Sequence, residues 1–348
     1  RPDRMVVTTC SHLTMPSLSE RQLRRKPLVV ILGPTAVGKS RIAVEVAKYL
    51  GSEILTADSR QVYRGMDVGT DKPTLLAREG IVHHLIDLVD PDEPFNAGLF
   101  RRHAAAAIDE CYRRRMLPLL VGGTGLYVRT LLQGLCEAPP SDPCVRARLR
   151  HEAYEQGGEQ LYARLALVDP LTAAKLHPRD TPKILRALEV YLQSGSPLSS
   201  FQSKHGFRER PFSALVIGLN RERDHLYRRI EERIDWQLSH GLIDETQTLL
   251  RRGYRRDSPA MKGLGYRQVA SYLAGECNWN EMVNEFKRDT RRFAKRQMTW
   301  FRREPELTWL MIEESEPAEQ TVSRVVDLIH PFLEGLDGDI DTLVPHSW

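Results

Sequence analysis

The feature that most constrains this chain is a glycine-framed loop set between an apolar run and an amphipathic segment. Residues 27–33 form a β-branched run that ends in Gly33, and residues 39–50 place Ile42, Ala43, Val46, Ala47 and Leu50 on one side of a helix. Between them stands Gly33-Pro34-Thr35-Ala36-Val37-Gly38-Lys39-Ser40, the GxxxxGK[ST] pattern of a phosphate-binding loop in its required strand-to-helix context. The glycines let backbone amides turn inward and the helix start adds its positive end. Lys39 can reach terminal phosphoryl oxygens, and the Ser40 hydroxyl suits Mg²⁺. The diphosphate-binding set is therefore expected to be Gly33, Thr35, Ala36, Val37, Gly38, Lys39 and Ser40, with Ser40 as the Mg²⁺ ligand. Such a loop specifies a polyphosphate or diphosphate. It does not choose between ATP hydrolysis, phosphoryl transfer and chemistry in which diphosphate leaves.

Further strands are expected at 53–57, 84–89, 117–121 and 214–219, with a crossover helix over 98–115, which makes the core an α/β fold around a parallel sheet. Pro139, Pro140 and Pro143 break the pattern, and helical spacing then dominates. Residues 135–210 thus read as a helical insertion between a first core part, 27–134, and a second, 211–303. Pro305, Pro317 and Pro331 mark 304–348 as an irregular acidic tail. Residues 1–26 read as a disordered basic arm, and their surplus of four positive charges equals the net charge of the whole chain. Any nucleic-acid partner must therefore be argued from local clusters and not from the overall balance. Cys10, Cys111, Cys136, Cys144 and Cys277 form no close metal-ligand spacing and read as reduced thiols, so a cytoplasmic location is expected and nothing asks for zinc. No run approaches the ~18 apolar residues of a membrane span.

The reaction turns on what stands opposite the phosphate loop. Asp58, at the end of the 53–57 strand, lies where parallel sheets bind ligands. Its chemistry suits a Mg²⁺ ligand, a general base or a helix cap. Near the other end, 285–303 holds eight basic residues against Glu285 and Asp289, while Phe286, Phe293 and Trp300 recur every seven residues as an inward stripe. A solvated basic face would look much the same. His83 and His84 are neighbours in a strand and face opposite ways, which makes a shared metal difficult.

Several blocks together resemble the tRNA dimethylallyltransferases: GPTAVGKS at 33–40, DSRQVYRGMDVGT at 58–70 followed by Lys72-Pro73, HHLID at 83–87, GGTGLY at 122–127, RALEV at 186–190 and TRRFAKRQMTWFR at 290–302. The resemblance implies a nucleoside-kinase-like P-loop core whose helical insertion grips the anticodon stem-loop. It implies transfer of dimethylallyl from dimethylallyl diphosphate to N6 of adenine 37 in tRNA. By the same resemblance Asp58 is the general base, Thr124 lies near the flipped adenine, and Arg223 joins Lys39 at the diphosphate. Arg221, Arg228, Arg229 and Arg233 are rivals of Arg223. The tRNA contacts expected are Ser59, Arg60, Gln61, Thr124, Arg146, Lys183, Arg186, Arg292, Lys295 and Arg296. At 181–183 the chain has Thr-Pro-Lys where many bacterial relatives carry a polar-arginine pair, so the planar fork of arginine is missing there. The expected cofactor is Mg²⁺, and a monomer without membrane contact is expected.

Physical chemistry is consistent with that reading. An adenine amine is a weak nucleophile, and a carboxylate that receives its proton helps as the N–C bond forms. Diphosphate leaves readily when fixed donors and Mg²⁺ meet its growing charge. Three rivals are a nucleotide kinase, a prenyltransferase acting on free adenine nucleotides and a non-enzymatic P-loop RNA-binding switch. The first predicts ATP turnover with mononucleotide acceptors, the insertion and the basic helix argue against the second, and intact Lys39, Ser40 and Asp58 against the third.

Overall fold

The structure, a computed structural model, describes residues 26–336 apart from 208 and 305. The expected basic arm lies outside the described residues except for Lys26, which opens a strand. The first elements are β1 (Lys26–Leu32), α1 (Lys39–Leu50), β2 (Glu53–Ala57), α2 (Leu75–Arg78), β3 (His83–His84), α3 (Ala97–Arg113), β4 (Pro118–Gly122) and α4 (Gly125–Gln133). Five helices follow: α5 (Pro143–Gln156), α6 (Gly158–Val168), α7 (Pro170–Ala173), α8 (Thr181–Ser194) and α9 (Leu198–His205). Then come β5 (Phe212–Arg221), α10 (Arg223–Ser239), α11 (Leu242–Arg251), α12 (Tyr266–Leu273), α13 (Trp279–Phe301), β6 (Leu307–Ile312) and α14 (Ala318–Glu334).

All six strands pair in parallel, in the order β3-β2-β4-β1-β5-β6, which is the α/β class expected. The period of two along each strand divides the core. Val29 and Ile31 of β1, Ile54 of β2, Leu119 and Val121 of β4, and Ile217 and Leu219 of β5 face one layer with α1 and α14. Leu28, Val30, Leu32, Leu55, Leu120 and Val216 face the other, with Phe100, Ala104 and Ile108 of α3. Burial on both faces is why β1 reads as a continuous apolar run and not an alternating one.

Residues 133–210 form a separate compact unit with its own core, in which Leu149, Leu161, Leu165, Ile184 and Leu188 meet. At its polar centre is Glu189, whose side chain is 0% exposed and takes hydrogen bonds from Arg146, Arg186, Ser141 and the Asp142 amide. Burial opposes ionisation of this carboxyl, but those hydrogen bonds outweigh it and hold Glu189 below the usual carboxylate range.

The acidic tail expected from 304 on is corrected: β6 and α14 occupy most of its described part. Leu310 and Ile312 of β6 are buried beside β5, and Val325, Ile329 and Leu333 of α14 join the layer around α1. Pro317 immediately precedes the helix, where its fixed φ is tolerated, and Pro331 sits in the last turn. The third strand is also shorter than 84–89, because the chain turns after His84 through positive φ at Leu85 and Asp87.

Candidate active site

Sheet register brings the chemistry together. Ala57, Gly122, Leu32 and Gly218 lie level across β2, β4, β1 and β5, so the segments leaving those strands emerge side by side from one edge. Neighbouring strands are ~4.8 Å apart, and all four exits fall within ~15 Å. They deliver Asp58, the Gly123-Thr124 turn, the phosphate loop and Arg221 to the carboxyl end of the sheet, where such folds bind ligands.

The phosphate loop turns through left-handed backbone at Ala36, φ 65°, and Gly38, φ 109°, and no side chain caps the start of α1. Arginines hold its oxygens. Arg229 Nε donates to the Ala36 carbonyl and Arg221 Nε to the Val37 carbonyl, each at 2.9 Å, while Arg233 donates to Thr35 Oγ1 at 2.6 Å. Lys39 Nζ donates to the Pro34 carbonyl at 2.9 Å. Burial of that ammonium, only partly offset by Asp58, lowers Lys39 to about 8. A half-buried cation with no carboxylate in hydrogen-bond contact among the described residues is suited to an anionic ligand.

Two cavities meet here. One, of about 550 Å³, is lined by Thr35, Gly38, Lys39, Ser40, Asp58 and Arg233 among others. The second, of about 300 Å³, is lined by Asp58, Ser59, Arg60, Thr124, Lys262 and Arg296 among others. Asp58, Thr35, Thr70, Arg233 and Phe293 border both. Asp58 Oδ1 accepts the Arg60 and Gln61 amides at 2.7 and 3.3 Å, and its other oxygen has no hydrogen-bond partner among the described residues. Thr124 Oγ1 accepts the Ser59 amide at 3.0 Å, which fixes the threonine beside that turn.

Several expected site residues stand elsewhere. Arg223 borders neither cavity and instead stacks on Tyr227, 5.3 Å from its ring centre. It sits in the first turn of α10, about 240° around the helix from Arg229. Arg229 and Arg233, four residues apart on one face, occupy the place foreseen for it. Gln61 is only 8% exposed, and its amide donates to the Thr70 and Asp71 carbonyls, so it shapes the loop. Arg146 and Arg186 are tied to Glu189, and Lys183 to Asp180 at 2.5 Å, so none of the three is a free cation. On α13, Lys287, Arg288 and Arg291 pair with carboxylates, whereas among the described residues Lys295 and Arg296 are exposed with no ion pair and Arg292 has only a 3.9 Å approach to Asp289. Phe286 is core, as expected of the aromatic stripe, but Phe293 is half-buried at the cavity junction. Gln297, on the buried side of α13, was not singled out by the sequence reading; its signal is an amide where the helical period demands an apolar residue.

For Mg²⁺ the donors suit: the Ser40 hydroxyl, Asp58, Asp71 and Glu232 line the cavity that also holds Lys39, an oxygen-rich set of the kind a hard cation takes. A different group, Glu53, His84 and Cys111, has ligand atoms within 4.8 Å of one another. Both Glu53 oxygens, however, accept Arg114 N–H groups at 2.7 Å, and burial beside Glu53 pushes the Cys111 thiol up to about 11. That cluster is a closed ion pair. His84 belongs to it, while His83 borders the larger cavity.

Comparison with known proteins gives a consistent answer. The family model described as IPP transferase matches residues 61–304, and one described as isopentenyl transferase matches 26–86. A tRNA dimethylallyltransferase 2 of Geotalea uraniireducens is 51% identical over 288 residues, covering 83% of this chain and 93% of that protein. The tRNA dimethylallyltransferase of Geobacter metallireducens is 48% identical, over 87% and 97% of the two chains. Among solved structures, the tRNA isopentenylpyrophosphate transferase of Bacillus halodurans superposes with TM-score 0.68 at 38% identity, covering 90% of this chain and 98% of that one. A eukaryotic dimethylallyltransferase acting on tRNA gives TM-score 0.75 at 25% identity, over 88% and 80%. The chain belongs to the tRNA dimethylallyltransferase family and is a prenyltransferase that transfers a dimethylallyl group to tRNA.

Proposed function

We propose that this enzyme moves the dimethylallyl group of dimethylallyl diphosphate onto N6 of adenine 37 in the tRNA anticodon loop. The observation that carries the reading is the position of Asp58, which borders both the phosphate-loop cavity and the cavity lined by Thr124. Diphosphate in the first and an everted adenine in the second would put the carboxylate between donor and acceptor. The N6 lone pair forms the new N–C bond while the C–O bond to diphosphate breaks, and that electron pair leaves on the diphosphate. The amine proton passes to Asp58. Lys39, the loop amides, Arg229 and Arg233 meet the growing negative charge. Family membership implies a Mg²⁺-dependent reaction; Ser40 would hold the ion, which when bound neutralises diphosphate charge. Arg60, Lys262 and Arg296, basic groups around the second cavity, suit the backbone of the tRNA loop.

The test is transfer from labelled dimethylallyl diphosphate to unmodified tRNA carrying adenine or guanine at position 37. Label on the adenine form alone is the expected result. Faster labelling of free AMP than of tRNA would overturn the substrate assignment.

A further inference from the structure

On the wall of the larger cavity, one side chain joins the segments that the proposed reaction needs in register. Gln297 is 8% exposed. Its Oε1 accepts the Thr35 amide of the phosphate loop at 2.9 Å, and its Nε2 donates to the Gly123 carbonyl at 2.9 Å. These bonds span 262 and 174 residues of sequence, so they are not the local bonds of a helix. Continuing from Gly123, Thr124 accepts the Ser59 amide through Oγ1, and Ser59 adjoins Asp58. An unbroken route of bonds therefore runs from the donor loop, through one amide side chain, to the proton acceptor.

The backbone is cut to admit this contact. A Cβ at position 123 would stand 2.5 Å from Gln297 Nε2, and one at 125 would stand 2.1 Å from the Trp300 ring. The two glycines thus let α13 press against the turn at successive helical levels. An apolar residue at 297 would fill the space but leave the Thr35 amide and the Gly123 carbonyl without this partner.

We infer that Gln297, on the wall of the larger cavity, is a positioning residue that fixes the distance between the diphosphate-holding loop and the Thr124–Asp58 turn, and so sets the rate of prenyl transfer. The inference rests on the transferase reading above.

Two variants test it in single-turnover transfer with both substrates saturating. Gln297→Met keeps the length of the side chain and loses both bonds; its rate should fall about 10- to 100-fold while the Kd values for inorganic pyrophosphate and tRNA stay within about threefold of the wild type. Gln297→Glu supplies the sharper readout. A protonated glutamic acid presents one donor and one acceptor, as the amide does, whereas its carboxylate faces the Gly123 carbonyl with acceptors only. Burial raises such a carboxyl, so the ratio of the Q297E rate to the wild-type rate should climb as pH falls from about 8 to about 6, while the Q297M ratio stays flat. Each Q297E rate is read against the wild type at the same pH, so this readout holds even if Q297M proves unstable. A Q297M rate within about twofold of an active wild type, or a flat Q297E ratio, overturns the inference alone. Absence of transfer by the wild type would overturn the underlying reading and this inference with it.

Discussion

At the scale of single residues, the arginines around the phosphate loop are separable. Arg233 holds Thr35 and borders both cavities, while Arg223 lies on Tyr227 outside them. Arg233→Ala should lower kcat/KM for dimethylallyl diphosphate by about 10²-fold, and Arg223→Ala by less than about threefold; steady-state kinetics on the two variants checks this. Lys39 adds a pH dependence. Its value near 8 lies below the ordinary 10.5, so the folded protein disfavours the ammonium. Between those two values the unfolded chain holds the extra proton, and this group's contribution to stability rises with pH across that window. Ligand binding has the opposite sign: the Kd for inorganic pyrophosphate should increase as pH passes through about 8, and Lys39→Met should lack that step when titrated alongside. Lys39 and Asp58 were legible in the sequence because motif spacing and the end of a strand locate them. Which arginine of the 221–233 cluster faces the loop was not, since that depends on the phase at which α10 leaves β5.

At the scale of elements, α13 does two kinds of work with two faces. Its inner face carries Phe286, Thr290, Ala294, Gln297 and Met298, and its outer face carries Lys295 and Arg296, which form no ion pair among the described residues. If the outer face meets tRNA phosphates, the slope of log affinity against log salt should flatten by about 0.7–0.9 for each contact removed. Filter binding of Lys295→Glu and Arg296→Glu at several salt concentrations measures this, and an unchanged slope would remove α13 from the RNA surface. The inward period of α13 was readable from Phe286, Phe293 and Trp300, but the sequence did not tell core from cavity wall. Composition misled at the other end of the core: prolines at 317 and 331 read as breakers, although Pro317 immediately precedes α14, where its fixed φ is tolerated, and the helix continues through Pro331 to Glu334. The arginines of the 133–210 unit illustrate another limit. A basic side chain in an RNA-binding family invites an RNA role, yet Arg146 and Arg186 neutralise the buried Glu189, a partner 43 and 3 residues away.

At the scale of the molecule, the parallel order β2-β4-β1-β5 is what makes the site possible, because it aligns four segments at one edge of one sheet. The α/β class was legible from the first strand, loop and helix, and the order of strands was not, since parallel partners are set by packing between distant segments. The same sheet edge gives the account its central claim, that one carboxylate serves two adjoining cavities. Asp58→Asn isolates that claim, because Asn can still accept the Arg60 and Gln61 amides and so preserve the turn. The decisive measurement is the single-turnover rate of prenyl transfer to tRNA by this variant, taken with its Kd for inorganic pyrophosphate. A rate lowered by about 10² to 10⁴-fold with the Kd nearly unchanged is predicted, and a rate within about threefold of the wild type would contradict the account.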